Sequence, residues 1–170
     1  MEKIAKFEKV SLNEFINSAK TFLPDLNKED LTTLYQKIKL PQRATKYSAG
    51  YDFYSYSKLI IKPNQTLKVP TGIRCKMNDN YVLLIVPRSS LGFKYRLQLD
   101  NTVGVIDSDY YHAKNEGHIF IKITNDTKEE KEVLVNEFEA FAQGIFLQYG
   151  ITIDDEVKEE RVGGIGSTNK

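Results

Sequence analysis

The chain has 170 residues, a net charge of +1 and a single cysteine. That length suits one domain with a sizeable core. A charge this close to zero implies no broad basic face of the kind a duplex nucleic-acid binder uses, and one cysteine excludes a disulfide framework or a Cys-based zinc site within the chain. No apolar run approaches the roughly 20 residues of a membrane span. The start, Met1-Glu2-Lys3, carries no apolar signal segment. Together with the missing disulfides this points to a cytoplasmic protein that binds neither nucleic acid nor membrane. Cys75 sits in an apolar-flanked run and reads as a small buried hydrophobe.

Residues 11–40 read as helical. Ser11 and Glu14 make a capping-box pattern, and Leu12, Phe15, Ile16 and Ala19 fall on one helical face. Pro24 ends that segment. A second helix is expected after Asn27, with Leu31, Leu34, Tyr35 and Ile38 on one stripe, and Pro41 stops it. Residues 1–40 thus form a helical extension, either packed on its own domain or offered to a protein partner.

From residue 50 the period changes to two. Strands are predicted at Gly50–Ser57, Lys58–Lys62, Gln65–Pro70, Gly72–Met77, Tyr81–Pro87, Tyr95–Leu99, Gly104–Ile106, His118–Thr124, Glu132–Leu134 and Ala140–Tyr149. Many short strands with frequent turns indicate a mainly β sandwich or barrel. The expected division is a helical extension at 1–40, a β core at 41–150 and a C-terminal arm at 151–170. Asp154-Asp155-Glu156 reads as a solvated linker. The last ten residues lack an apolar period and are expected to be mobile until something binds.

Three segments carry chemistry. Gly104-Val105-Ile106-Asp107 is an apolar run ending in a carboxylate. A carboxylate held by a strand end suits a general base, although a turn-forming Asp is the plainer alternative. Gly104 permits close approach of a ligand or backbone. Asp109 reads as a turn residue, and Tyr110 as either core or a plate for a sugar. Pro87-Arg88-Ser89-Ser90-Leu91-Gly92 places a guanidinium and two hydroxyls after a strand, a polar loop suited to phosphate oxygens. Gly163-Gly164-Ile165-Gly166-Ser167-Thr168 resembles a phosphate-cradling loop loosely, without the lysine and spacing of a P-loop. Arg161 before it could clamp a terminal phosphate. His112 and His118 lack partners in ligand spacing and read as surface loop residues.

Taken together, these segments resemble the trimeric, all-β dUTPase family. Its five motifs are recognisable in order: Ala49-Gly50-Tyr51-Asp52-Phe53-Tyr54-Ser55, Pro87–Gly92, Gly104–Tyr110 preceded by Asn101, Ala142-Gln143-Gly144-Ile145-Phe146, and Arg161–Thr168. The resemblance covers roughly residues 41–168. It implies a jelly-roll (β-clip) domain and a homotrimer with shared active sites. It implies hydrolysis of dUTP to dUMP and pyrophosphate with Mg2+.

By that resemblance Asp107 activates the attacking water. Asn101 and the backbone of a 92–103 hairpin read uracil, with Gly92, Gly104 and Ile106 in the nucleotide pocket. Tyr110 lies under the deoxyribose. Ser89, with Ser90 beside it, reaches the α–β bridge, and Arg88 and Gln143 hold phosphates. Arg161, Ile165, Gly166 and Ser167 belong to the closing arm. No residue binds metal directly, and Asp52 sits near its water shell. Ile165 departs from the usual stacking phenylalanine and Ala140 from a frequent arginine, and Tyr111–Asn115 lengthens a loop. The competing readings are a dCTP deaminase of the same fold, and a regulatory scaffold docking a partner through residues 1–40.

Overall fold

The structure, a computed structural model, describes residues 2–159 together with Arg161 and Gly163. Strand β1 (Ala5–Lys9) leads into helices α1 (Leu12–Phe22) and α2 (Lys28–Lys37). Then come β2 (Gln42–Arg43), β3 (Tyr51–Tyr54), β4 (Leu59–Ile61), β5 (Thr66–Pro70), β6 (Ile73–Met77) and β7 (Tyr81–Pro87). Helix α3 (Ser89–Tyr95) precedes β8 (Leu97–Leu99), β9 (Gly104–Ile106), a 3₁₀ turn at Ser108–His112, β10 (Phe120–Asn125), β11 (Val133–Val135) and β12 (Ala140–Gln148). The largest sheet runs β2-β3-β12-β7-β9, with β5-β10-β8, β1-β6 and β11-β4 as smaller ones. All the pairings are antiparallel. No helix among the described residues is long and apolar enough to cross a membrane.

In the strand expected at His118–Thr124, Ile119, Ile121 and Ile123 are all buried while Lys122 faces out. Cys75 is buried, and that burial pushes its thiol up to about 12, leaving it unreactive. Two expected elements differ. The stretch read as a polar loop is instead helix α3, anchored by buried Leu91 and stopped where Arg96 turns left-handed at φ 52, so the strand expected from Tyr95 begins at Leu97. Residues 92–103 are therefore not one hairpin: β8 pairs with β10, and β9 with β7.

The N-terminal region is also more than helical. Its β1 pairs along its length with β6, and Phe7 packs on Tyr51, Phe53 and Phe146 at ring distances of 5.4–5.7 Å. Helix α1 buries Phe15, Ile16 and Ala19, as its spacing requires. Ser11 caps it by accepting the Glu14 N–H at 3.2 Å. The other half of the capping box comes from Glu116, whose carboxylate accepts the Ser11 N–H at 2.7 Å and its hydroxyl at 2.6 Å. Helix α2 is capped by Asn27, and Lys9 donates to the carbonyls of Tyr35 and Gln36 at its other end.

Glu14 is thereby free for His118. That histidine is not a surface loop residue: it is fully buried, with Nδ1 3.0 Å from Glu14 Oε1 and Nε2 accepting the Gly72 N–H at 2.9 Å. An Nε2 that accepts places the proton on Nδ1, so His118 is neutral and donates to Glu14. His112 is exposed, as read. Tyr111 completes the junction, donating to Glu8 at 2.6 Å and accepting from Arg74. The lengthened loop and the N-terminal region, both motives for a docking reading, bond to each other.

Burial lowers the His118 proton affinity, outweighing the opposing pull of Glu14 and Glu116. The unfolded chain takes up that proton near pH 6.5, the folded chain only at lower pH. The neutral histidine's contribution is therefore complete above about pH 6.5 and is lost as pH falls below it. Thermal melts between pH 7.5 and 5 should show Tm dropping through that range, and His118→Gln should flatten the drop. Glu8, held down to about 2 by Lys6 and Tyr111, adds a separate loss only below its ordinary range near 4.5.

Candidate active site

Two clefts gather the site residues. The first, of about 220 Å³, is lined by Gly50, Asp52, Arg88, Ser89, Ser90 and Gln143 among others. Sheet pairing assembles it: Gln143 on β12 lies opposite both Asp52 on β3 and Val86 on β7. Arg88 follows β7 directly, with Nε 3.3 Å from Asp52 Oδ1 and Nη1 donating to the Ala140 carbonyl at 3.4 Å. Ser89 and Ser90 stand exposed in the first turn of α3. Gln143 donates to the Pro87 carbonyl at 3.2 Å. Gly50 makes this possible, because a Cβ there would lie 2.4 Å from Gln143 Oε1. One guanidinium, two hydroxyls and an amide around a small polar cleft are donors for an anion. Gly92 lies in α3, where its carbonyl accepts the Arg96 N–H.

The second cleft, of about 410 Å³, is lined by Ile85, Leu99, Asn101, Gly104, Ile106 and their neighbours. Asn101 is exposed in the turn between β8 and β9. Gly104 is buried against Ile85, whose Cβ would be 3.1 Å from a Cβ added there. The sequence reading missed what holds this turn. Asp100 accepts from Lys122 at 2.5 Å and from Thr124, and its N–H donates to the Lys122 carbonyl. Thr102 takes a positive φ of 64. The turn is thus tied to β10 by residues more than 20 positions along the chain, a link no local pattern shows.

Asp107 follows β9 and opens the 3₁₀ turn; its side chain is half-exposed. Tyr110 is buried, donating to the His118 carbonyl at 2.7 Å and accepting from Asn115 at 2.8 Å. Arg161 reaches neither phosphate-type donors nor the first cleft. It pairs with Asp107 Oδ2 at 2.6 Å and Asp109 Oδ1 at 2.8 Å. Asp109 is therefore more than a turn residue. Ile165, Gly166 and Ser167 lie outside the described residues.

The register fixes how far apart the two groups are. Ile106 pairs with Leu83, so Asp107 continues beside Val82, while Arg88 lies six positions further along the same strand direction. At about 3.3 Å per residue that is about 20 Å. Neither cleft is lined by both Asp107 and Arg88.

The dUTPase family model matches residues 36–169. The chain belongs to the dUTPase family. It is 40% identical over 144 residues to the deoxyuridine 5'-triphosphate nucleotidohydrolase of Lactococcus lactis, covering 82% of this chain and 95% of that one. The corresponding protein of Burkholderia multivorans is 37% identical over 153 residues, covering 84% and 99%. Among solved structures, the dUTPase from Streptococcus mutans superposes with a TM-score of 0.63 at 31% identity, covering 86% and 97%. A dUTPase from phage phi11 of S. aureus, described with a structural Mg(II) ion, shares the fold at a TM-score of 0.63 and 18% identity, covering 92% and 98%.

If the first cleft holds phosphates, Gly50→Ala should displace Gln143 and weaken binding of a triphosphate about tenfold, the cost of one hydrogen bond to a charged group. Calorimetry with a non-hydrolysable nucleotide checks it, and Tm should change little.

Proposed function

We propose that the chain is a dUTP diphosphatase, releasing dUMP and pyrophosphate by attack of water on the α-phosphorus. Membership of the dUTPase family with Asp107, Arg88 and Gln143 in place carries this reading. Asp107 takes a proton from water as its oxygen bonds to the α-phosphorus, and the bond to the α–β bridging oxygen breaks. Arg88, Ser89, Ser90 and Gln143 neutralise and orient the phosphates. Asn101 in the pinned turn reads the uracil edge, where a wrong base leaves buried polar groups unpaired. Tyr110 supports the deoxyribose.

Mg2+ suits this donor set, since it keeps several waters and binds few carboxylates beside substrate phosphates. Asp52 is a carboxylate on the wall of the phosphate cleft and would reach it through water. When bound, the ion would neutralise charge on the triphosphate.

The separation of about 20 Å between Asp107 and Arg88 supports a site shared between chains. So does the outer face of the large sheet. Leu84 stands opposite Val105 and Ile145, and Val82 opposite Leu147, an apolar stripe with Val105 and Leu147 exposed. Such a face calls for a partner, and a homotrimer supplies one. A buried free thiol at Cys75 suits the cytoplasm.

The test is pyrophosphate release with Mg2+ from dUTP, dCTP, dTTP and UTP. Release from dUTP alone is expected; ammonia release from dCTP would establish the deaminase instead. Asp107→Asn should lower turnover about a thousandfold while leaving analogue affinity within a few-fold. Retained turnover would remove Asp107 as the base.

A further inference from the structure

Arg161 occupies the ground that a substrate would need. Its guanidinium bridges Asp107 and Asp109, and it stands 5.8 Å above the Tyr110 ring. The arginine side chain is only 16% exposed, whereas the two carboxylates are about half-exposed. On the dUTPase reading, Asp107 is the base and the face of Tyr110 receives the sugar. One side chain therefore lies against both. Each of the two contacts is a charge-assisted hydrogen bond, and together they hold the guanidinium in one place.

We propose that Arg161 is a resting cap on the catalytic carboxylate, with Asp109 as the residue that positions it, and that an incoming triphosphate displaces it. This rests on the dUTPase reading. The capped Asp107 has its Oδ2 engaged by the guanidinium and cannot take a proton from water there. A nucleotide removes the cap in two ways. Its sugar needs the Tyr110 face, and its phosphates present more negative charge to a guanidinium than two half-solvated carboxylates do. That oxygen is then freed when a triphosphate draws the guanidinium away. Asp109 contributes nothing to the chemistry itself; it raises the concentration of nucleotide needed to free Asp107. Its partner lies 52 positions away, which is why Asp109 reads as a plain turn residue in sequence.

Asp109→Asn tests the proposal on the full-length enzyme. Loss of one half-exposed ion pair should lower KM for dUTP about two- to fivefold, with kcat unchanged within about twofold. A higher KM, an unchanged KM or a fall in kcat would overturn the cap. A second readout needs no turnover. Trypsin must take the guanidinium into its own pocket, so an ion-paired Arg161 resists cleavage. In ligand-free protein, cutting after Arg161 relative to exposed Lys158, read by mass spectrometry, should rise in Asp109→Asn. An unchanged ratio would also overturn the proposal. Should the wild type release no pyrophosphate from dUTP while the ratio still rises, the cap would stand as a contact and the dUTPase reading would have failed on its own.

Discussion

The spacing along one β-strand governs how this molecule can work. Strand β7 carries Arg88 beyond its last residue, and through β9 it holds Asp107 near its beginning. A strand does not shorten, so the backbones at Asp107 and Arg88 stay about 20 Å apart in each chain. On the proposed reading each chain presents two half-sites: a polar cleft built by β3, β7, β12 and α3 for phosphates, and Asp107 with the Asn101 turn, built by β8 and β9, for the base and the nucleotide. The apolar outer face of β12-β7-β9 lies between them. The strand that separates the half-sites also carries the surface on which chains can meet.

Rigidity at both half-sites comes from contacts remote in sequence. The reading turn is tied to β10 through Asp100, Lys122 and Thr124. Tyr110 is fixed through the His118 carbonyl, and His118 through Glu14 of α1. Glu116 and Tyr111 clip the same loop to Ser11 and Glu8. The N-terminal region thus bears on the segment that carries Asp107. The acid sensitivity expected of the buried neutral histidine would be a property of that junction.

Much of this was legible in the sequence. The strands with clean alternation, such as the run through Ile119, Ile121 and Ile123, appear where they were expected. So do both long helices, because Ser11, Asn27 and the apolar stripes are local signals. Asp107 and Arg88 were legible because each breaks an apolar strand with a charge. What was not legible depends on distant partners. Residues Ala5–Lys9 hold one strong apolar anchor, Phe7, and become a strand only because β6 offers an edge. His118 reads as polar loop until Glu14, 104 positions away, meets it in the core. Helix α3 is short and has no side-chain cap to announce it. The contacts of Arg161 with Asp107 and Asp109 join two distant segments, and spacing carries no information about which carboxylate that arginine will meet.

The central claim, that neither half-site works without one from another chain, is tested most directly by mixing two inactive variants. Arg88→Ala removes the anion half-site and Asp107→Asn the base. Each alone should hydrolyse dUTP negligibly. Co-refolded into mixed assemblies, verified by native mass spectrometry, they should regain a substantial share of wild-type pyrophosphate release, because some sites then pair an intact Arg88 with an intact Asp107 of a different chain. Mixed assemblies that remain as inactive as their parents would contradict the account.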